Sequence, residues 1–318
     1  MTDKQIDRYL RRRFSQVGWV LIAYYIIMNL LVGAELVFSW LRQELWLIAM
    51  GDPFGSMDMG TFPGEAWGYV VTVLTGFLIL YAWKGHGWFR ETLMRRERPM
   101  NVGVLLACLC LCMGAQMVNS LWIMVLERMM NLFGKTVVPM LESVSGASDT
   151  FSMFLYASIL APIGEEILFR GYVLRSLRPY GKRFAIAASA VLFGLFHGNL
   201  LQAPYAVLMG LILGWLTVEY SAVWAVLLHL FNNLVLADFL GRITASWSDA
   251  AYAVLDLGLF GGCAVASAVI LIRRRHEIRA YRQEEWIDRR CLKCFVTNSG
   301  VLVLTAVSLY TMARWLTL

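Results

Sequence analysis

From Val17 to Leu41 the chain runs 25 residues with a single charged side chain, Glu35. About 20 apolar residues in a helix span the roughly 30 Å hydrocarbon core of a bilayer. Inside that core every backbone N–H and C=O must be bonded within the protein, so an apolar stretch of this length has one economical form, a transmembrane helix. Further apolar runs lie near 66–83, 102–126, 151–176, 184–199, 204–219, 222–240, 251–272 and 295–314. The fifth and sixth are short, which suits tilted helices or helices that meet deep in the membrane. Hydrophobic residues make up 59% of the 318 positions and charged residues 16%, against about 45–50% and 25% in soluble domains. Disordered, collagen-like and nucleic-acid-binding classes are excluded on that balance. The expected fold is all-α, a polytopic transmembrane helical bundle of about eight to nine spans. The first span is too long for a cleavable signal peptide and is followed by no small-x-small cleavage site, so it reads as a signal anchor.

The net charge of +6 is explained by where the basic residues sit. The N-terminus carries five (Lys4, Arg8, Arg11, Arg12, Arg13). The connections Lys84 to Arg98, Arg175 to Arg183 and Arg273 to Lys293 carry five, four and eight. The opposite side holds five, Arg42, Arg128, Lys135, Arg242 and Arg314. Basic residues favour cytoplasmic connections, so the N-terminus is expected in the cytoplasm. With no long linker or internal repeat, residues 1–318 form a single membrane domain, expected in a bacterial plasma membrane. Cys108, Cys110, Cys112 and Cys263 lie in apolar segments. Cys291 and Cys294 form an isolated Cys-x-x-Cys with only His276 near in sequence, short of the two ligand pairs of a zinc knuckle.

Ionisable groups at membrane depth are rare and each is a functional hypothesis by default. Three sets stand out: Ala161-Pro-Ile-Gly-Glu165-Glu166-Ile-Leu-Phe-Arg170-Gly171, Phe193-Gly-Leu-Phe-His197, and His229-Leu-Phe-Asn-Asn233. If the fourth and fifth spans turn near Gly181, Glu166 and His197 lie at similar depth on either side of that turn. His229 follows a turn at Tyr220–Ser221 and is also well inside. Three helices can therefore bring carboxylates, imidazoles and an amide to one buried level, as an active site requires. Residues four apart share a helix face, so Glu166 is expected to pair with Arg170. Glu165 lacks that partner and is the candidate general base. His229 and Asn233 also share a face, an arrangement that suits donors to one oxyanion. Phe193, one turn before His197, is placed to orient its ring. By contrast Glu35, Asp238 and Asp256 are isolated and read as packing or pore-lining groups, and Glu219, at a span end, as solvated.

In this order the three sets resemble the CPBP family of intramembrane proteases, which joins type II CAAX prenyl endopeptidases with the bacteriocin-processing and immunity proteins called Abi. The signature Glu-Glu-x-x-x-Arg, Phe-x-x-x-His, His-x-x-x-Asn is met by Glu165-Glu166-x-x-x-Arg170, Phe193-x-x-x-His197 and His229-x-x-x-Asn233. The resemblance covers roughly 150–240 as a catalytic core, with 1–149 and 241–318 as accessory spans. It implies an endopeptidase cutting a membrane-associated peptide or protein, the bilayer and that substrate being its partners. Glu165 with His197 would activate water, His229 with Asn233 would stabilise the oxyanion, and Glu166 with Arg170 would support the glutamate helix. Glu165, His197 and His229 are a plausible zinc set. With no His-Glu-x-x-His helix, the favoured expectation is no required cofactor, Zn2+ being the alternative. The other function classes are a catalytically silent peptide-binding or immunity protein and a proton-coupled transporter, although the broken helices or repeated halves of transporters are not evident in the sequence.

Overall fold

The computed structural model describes residues 2–49, 66–144, 150–284 and 287–316. These are helical throughout apart from short turns, and no strand occurs among them. Twelve helices follow in order: α1 Asp3–Ala49, α2 Trp67–Met94, α3 Val102–Asn131, α4 Val138–Val144, α5 Phe151–Tyr180, α6 Lys182–Phe196, α7 Ala203–Glu219, α8 Ala222–Thr244, α9 Asp249–Arg273, α10 Arg275–Glu284, α11 Arg289–Val296 and α12 Ser299–Trp315.

The helix starts follow from local sequence. Asn101, Thr150, Ser248 and Asn298 cap α3, α5, α9 and α12 by accepting from backbone N–H groups two or three residues on. Such caps satisfy donors that have no partner in the first turn. The start of α2 is capped from another helix. Glu35 of α1 accepts from Trp67 N at 2.9 Å and Gly68 N at 2.6 Å, a carboxylate at the positive end of a helix dipole. The single charge in the first apolar run thus joins two helices.

Six helices (α1, α2, α3, α5, α8 and α9) are long and apolar enough to cross a membrane, and α11 with α12, bent by 58°, makes a seventh if counted as one span. The expectation of eight to nine spans counted α6 and α7 separately. Their 15 and 17 residues reach about 22 and 25 Å, and neither is among the six. They form instead an antiparallel pair, the most extensively packed pair in the molecule. Glycine permits this closeness: a methyl group at Gly210 would come within 2.8 Å of Ala190 Cα, and one at Gly194 within 2.8 Å of the Ala203 carbonyl. In lipid, where apolar helices gain little by mutual burial, small residues allow the backbone contact that holds helices together.

The expected turns are present. Gly181, with φ of +117°, joins α5 to α6 in a backbone region that a side chain would strain. Tyr220 and Ser221 join α7 to α8.

The basic connections gather on one face of the bundle. Glu97 N donates to Tyr220 O at 2.8 Å, and Arg178 bonds Glu97 at 2.8 Å. Arg183 reaches Arg282 O at 2.7 Å. Arg290 bonds Asp3 at 2.8 Å and Asp7 at 2.5 Å, which holds the Asp7 carboxyl below its ordinary range. Glu219 corrects the sequence reading. It is buried rather than solvated, and it receives Arg98 at 3.3 Å, Lys182 at 3.4 Å and the Tyr281 hydroxyl at 3.2 Å. The α2–α3 connection, the α5–α6 turn and α10 therefore meet on one carboxylate. Asp238, read as isolated, pairs with Arg242 one turn on at 2.9 Å.

Replacing Gly210 by Ile should force α6 and α7 apart, with a cost of about 1–3 kcal/mol typical of overpacking. Thermal unfolding in detergent should show a lowered midpoint, whereas Gly33→Ile, in open space, should leave it near wild type.

Candidate active site

Helix α5 places the two glutamates at the centre of the bundle. Its Ala161–Glu166 segment is α-helical and is flanked by π-helical turns at Leu155–Leu160 and Ile167–Leu174. Such wide turns cost backbone regularity and occur mostly at functional positions. The consecutive carboxylates meet different surroundings. Glu166 is fully buried: its Oε1 lies 2.9 Å from His229 Nδ1 and its Oε2 lies 3.1 Å from Arg170 Nε. The latter is an ion pair in which the N–H is not aimed at the oxygen. Glu165 retains 24% of its side-chain exposure and approaches His229 Nε2 at 3.7 Å, beyond hydrogen-bond length.

Phe193 is the hub of the site. Its ring is buried, carries the Arg170 guanidinium 4.6 Å from its centroid, and meets His197 and His229 edge-to-face at 4.8 and 5.9 Å. Phe169 closes a further side at 5.0 Å. A guanidinium over an aromatic face is attracted to the ring quadrupole, the more so when desolvated. That contact matters because neither terminal nitrogen of Arg170 has a hydrogen-bond partner among the described residues.

His197 ends α6, and its Nδ1 lies 2.8 Å from the Phe193 carbonyl. A carbonyl oxygen only accepts, so Nδ1 bears a hydrogen, and in the neutral tautomer the lone pair is at Nε2. Asn233 lies in the π-helical Phe231–Phe239 part of α8. Its amide donates to Ala157 O at 3.0 Å and its oxygen accepts from Asn232 at 3.0 Å. Asn232 in turn accepts from the Tyr205 hydroxyl at 2.5 Å. The other hydrogen of the Asn233 amide meets no acceptor among the described residues.

The expected pair Glu166–Arg170 is therefore formed, and His229 is brought between both glutamates. His197 and Asn233 are held by backbone carbonyls of α6 and α5 instead, and neither is bonded to a glutamate. Glu165 opens into a cleft of about 20 Å³ walled by Tyr24, Met28, Val73, Tyr156, Leu168 and Phe196. That is room for about one water. Tyr24 and Tyr156 were missed by sequence reasoning, since aromatic residues in apolar runs carry no signal beyond packing. Among the described residues no three His, Cys, Asp or Glu side chains form a group that could hold a metal ion.

Residues 147–235 match the family model described as type II CAAX prenyl endopeptidase Rce1-like. That stretch, 89 of the 318 residues, resembles the CPBP family. The match ends within α8, just past Asn233, and takes in every residue of the buried cluster. The likeness supports an intramembrane enzyme of the CAAX-protease type in general. No curated protein and no solved structure matches the chain.

Outside the matched stretch, Cys291 and Cys294 of α11 are free thiols packed beneath the first turns of α1. Burial, helped by the neighbouring Asp288, pushes the Cys291 thiol up to about 11, and burial also raises Cys294. Both therefore stay protonated at neutral pH, the inert state of a thiol.

Replacing Glu166 by Ala strips Arg170 and His229 Nδ1 of their carboxylate. Removing one partner of a buried ion pair costs roughly 3–5 kcal/mol, so Glu166→Ala should express poorly and unfold at lower temperature. Glu165→Ala, which frees a partly exposed group, should unfold close to wild type in the same assay.

Proposed function

We propose that this protein is an intramembrane endopeptidase that hydrolyses a peptide bond in a membrane-associated peptide or protein, with its basic face in the cytoplasm of a bacterial cell. The observation that carries the reading is the division between adjacent carboxylates. Glu166 is committed to Arg170 and His229, whereas Glu165 meets a cleft of water size. Pairing leaves one carboxylate structural and the other available for proton transfer.

In the proposed reaction Glu165 takes a proton from water in the cleft, with the Nε2 lone pair of His197 as its second acceptor. The hydroxide attacks the scissile carbonyl carbon. The resulting oxyanion is met by the second amide hydrogen of Asn233, a donor already oriented before the charge develops, and by His229 Nε2 once that ring carries a hydrogen on both nitrogens. Collapse breaks the C–N bond as the proton held by Glu165 passes to the leaving amine. Arg170 and Phe193 touch no reacting atom. They position Glu166 and the two imidazoles.

The aromatic and aliphatic walls of the cleft favour an apolar peptide segment over a hydrated one. In vesicles containing the purified chain and apolar peptides with polar ends, Glu165→Ala and His197→Ala should each lower turnover by about 10²–10⁴-fold. Turnover above half of wild type in Glu165→Ala would remove Glu165 from the reaction.

We also propose that no metal is required, because His229 already faces carboxylates at both ring nitrogens and His197 is bonded to neither glutamate. Activity should survive a membrane-permeant chelator, and elemental analysis should find well under one zinc per chain. Restoration of a chelated, inactive enzyme by about one equivalent of zinc would establish the metalloenzyme instead.

A further inference from the structure

On the basic face, away from the catalytic cluster, α1 and α12 part to leave a groove. Their backbones touch where Gly18 meets Gly300, so closely that neither position has space for a side chain. Above that contact the chain bends by 58° between α12 and α11, which carries α11 off the axis of α12. The opening left between them has a volume of about 480 Å³ and is lined by Arg11, Arg12, Ser15, Gln16, Trp19 and Ser299, among others. This is the size range of small-molecule sites.

The chemistry changes along the groove. Arg11 and Arg12 form its outer end, and Trp19 lies eight residues on, about 12 Å deeper along the helix. Trp19 is 46% exposed, and tryptophan favours the headgroup level of a bilayer. Beyond it, exposed Ile26 of α1 and Leu302 of α12 continue toward the hydrocarbon. Between the two levels stand hydroxyls, with Ser15 Oγ and Ser299 Oγ 2.9 Å apart.

The charge at the outer end is only partly balanced among the described residues. The two carboxylates of the first turns, Asp3 and Asp7, are both taken by Arg290. Arg11 donates to the Thr297 carbonyl at 3.2 Å and shares Asp7 electrostatically with Arg290. Arg12 has no partner among the described residues.

We propose that this groove binds the headgroup of an anionic phospholipid, its phosphodiester on Arg11 and Arg12, its glycerol region beside the serines and Trp19, and its acyl chains over Ile26 and Leu302. The order of cations, hydroxyls, indole and apolar side chains repeats the order of groups along such a lipid. A free phosphate would use only the outer end. Basic pockets between helices on the cytoplasmic side are a known form of lipid recognition.

The test is native mass spectrometry of the full-length chain in detergent, titrated with phosphatidylglycerol and with phosphatidylcholine of identical acyl chains. One phosphatidylglycerol should be retained with about tenfold or greater preference, given about fivefold per basic residue near an anionic surface. Arg12→Gln removes a charge without removing a protein contact and should weaken retention about fivefold. Arg12→Lys should restore most of it. Arg289→Gln, a basic residue outside the groove, should have no effect. Raising the salt on wild-type protein should weaken binding, a readout independent of any variant. Equal retention of the two lipids, or undiminished binding in Arg12→Gln, would overturn the proposal. So would displacement of the lipid by glycerol 3-phosphate at equal concentration, which would identify a free phosphate as the ligand.

Discussion

Two carboxylates, a guanidinium and an imidazole share the interior of a bundle whose surroundings cannot solvate them. Each of these groups is costly at membrane depth unless paired, and the structure satisfies them in a fixed order. Arg170 lies against Glu166 and over the face of Phe193, and Glu166 in turn holds His229. Glu165 is left without a full partner and lies at the edge of a cleft. Much of the rest of the bundle serves this arrangement. The wide turns on either side of Glu165 and Glu166 set the face of α5 on which each carboxylate emerges. The close contact of α6 with α7 carries Phe193 and His197 to the same level.

Placement of the site depends on turns that have little chemistry of their own. Gly181 reverses the chain between α5 and α6, and Tyr220–Ser221 reverses it between α7 and α8. Because both turns lie on the basic face, the depth of every catalytic candidate is measured from one plane. Glu219 anchors that plane by joining a basic residue from each of two connections to α10. A carboxylate far from the chemistry thus helps to fix its register.

Much of this was legible in the sequence. Apolar runs gave the all-α class, and the spacing of Glu166 and Arg170 gave their pairing. The two turns followed from where apolar stretches break. Other features lay outside what periodicity reports. The tight pairing of α6 with α7 is one, since a run of hydropathy does not report which helix packs on which. Glu219 looks solvated at a helix end because its partners, Arg98, Lys182 and Tyr281, are far away in sequence. His229 and Asn233 share a face in an ideal α-helix, but α8 widens into π-helical turns at Phe231 and the Asn233 amide turns to Ala157. Tyr24 and Tyr156 join the cleft from α1 and α5 through tertiary packing alone.

The central claim is that Glu165 acts on a substrate while Glu166 holds the site together. It is tested most directly by comparing the protein termini present in membranes containing wild-type protein with those in membranes holding an equal amount of Glu165→Gln. The account predicts a set of new termini, within or beside apolar segments, that appears with wild type and is lost in the variant. An identical set of termini in both membranes would contradict it.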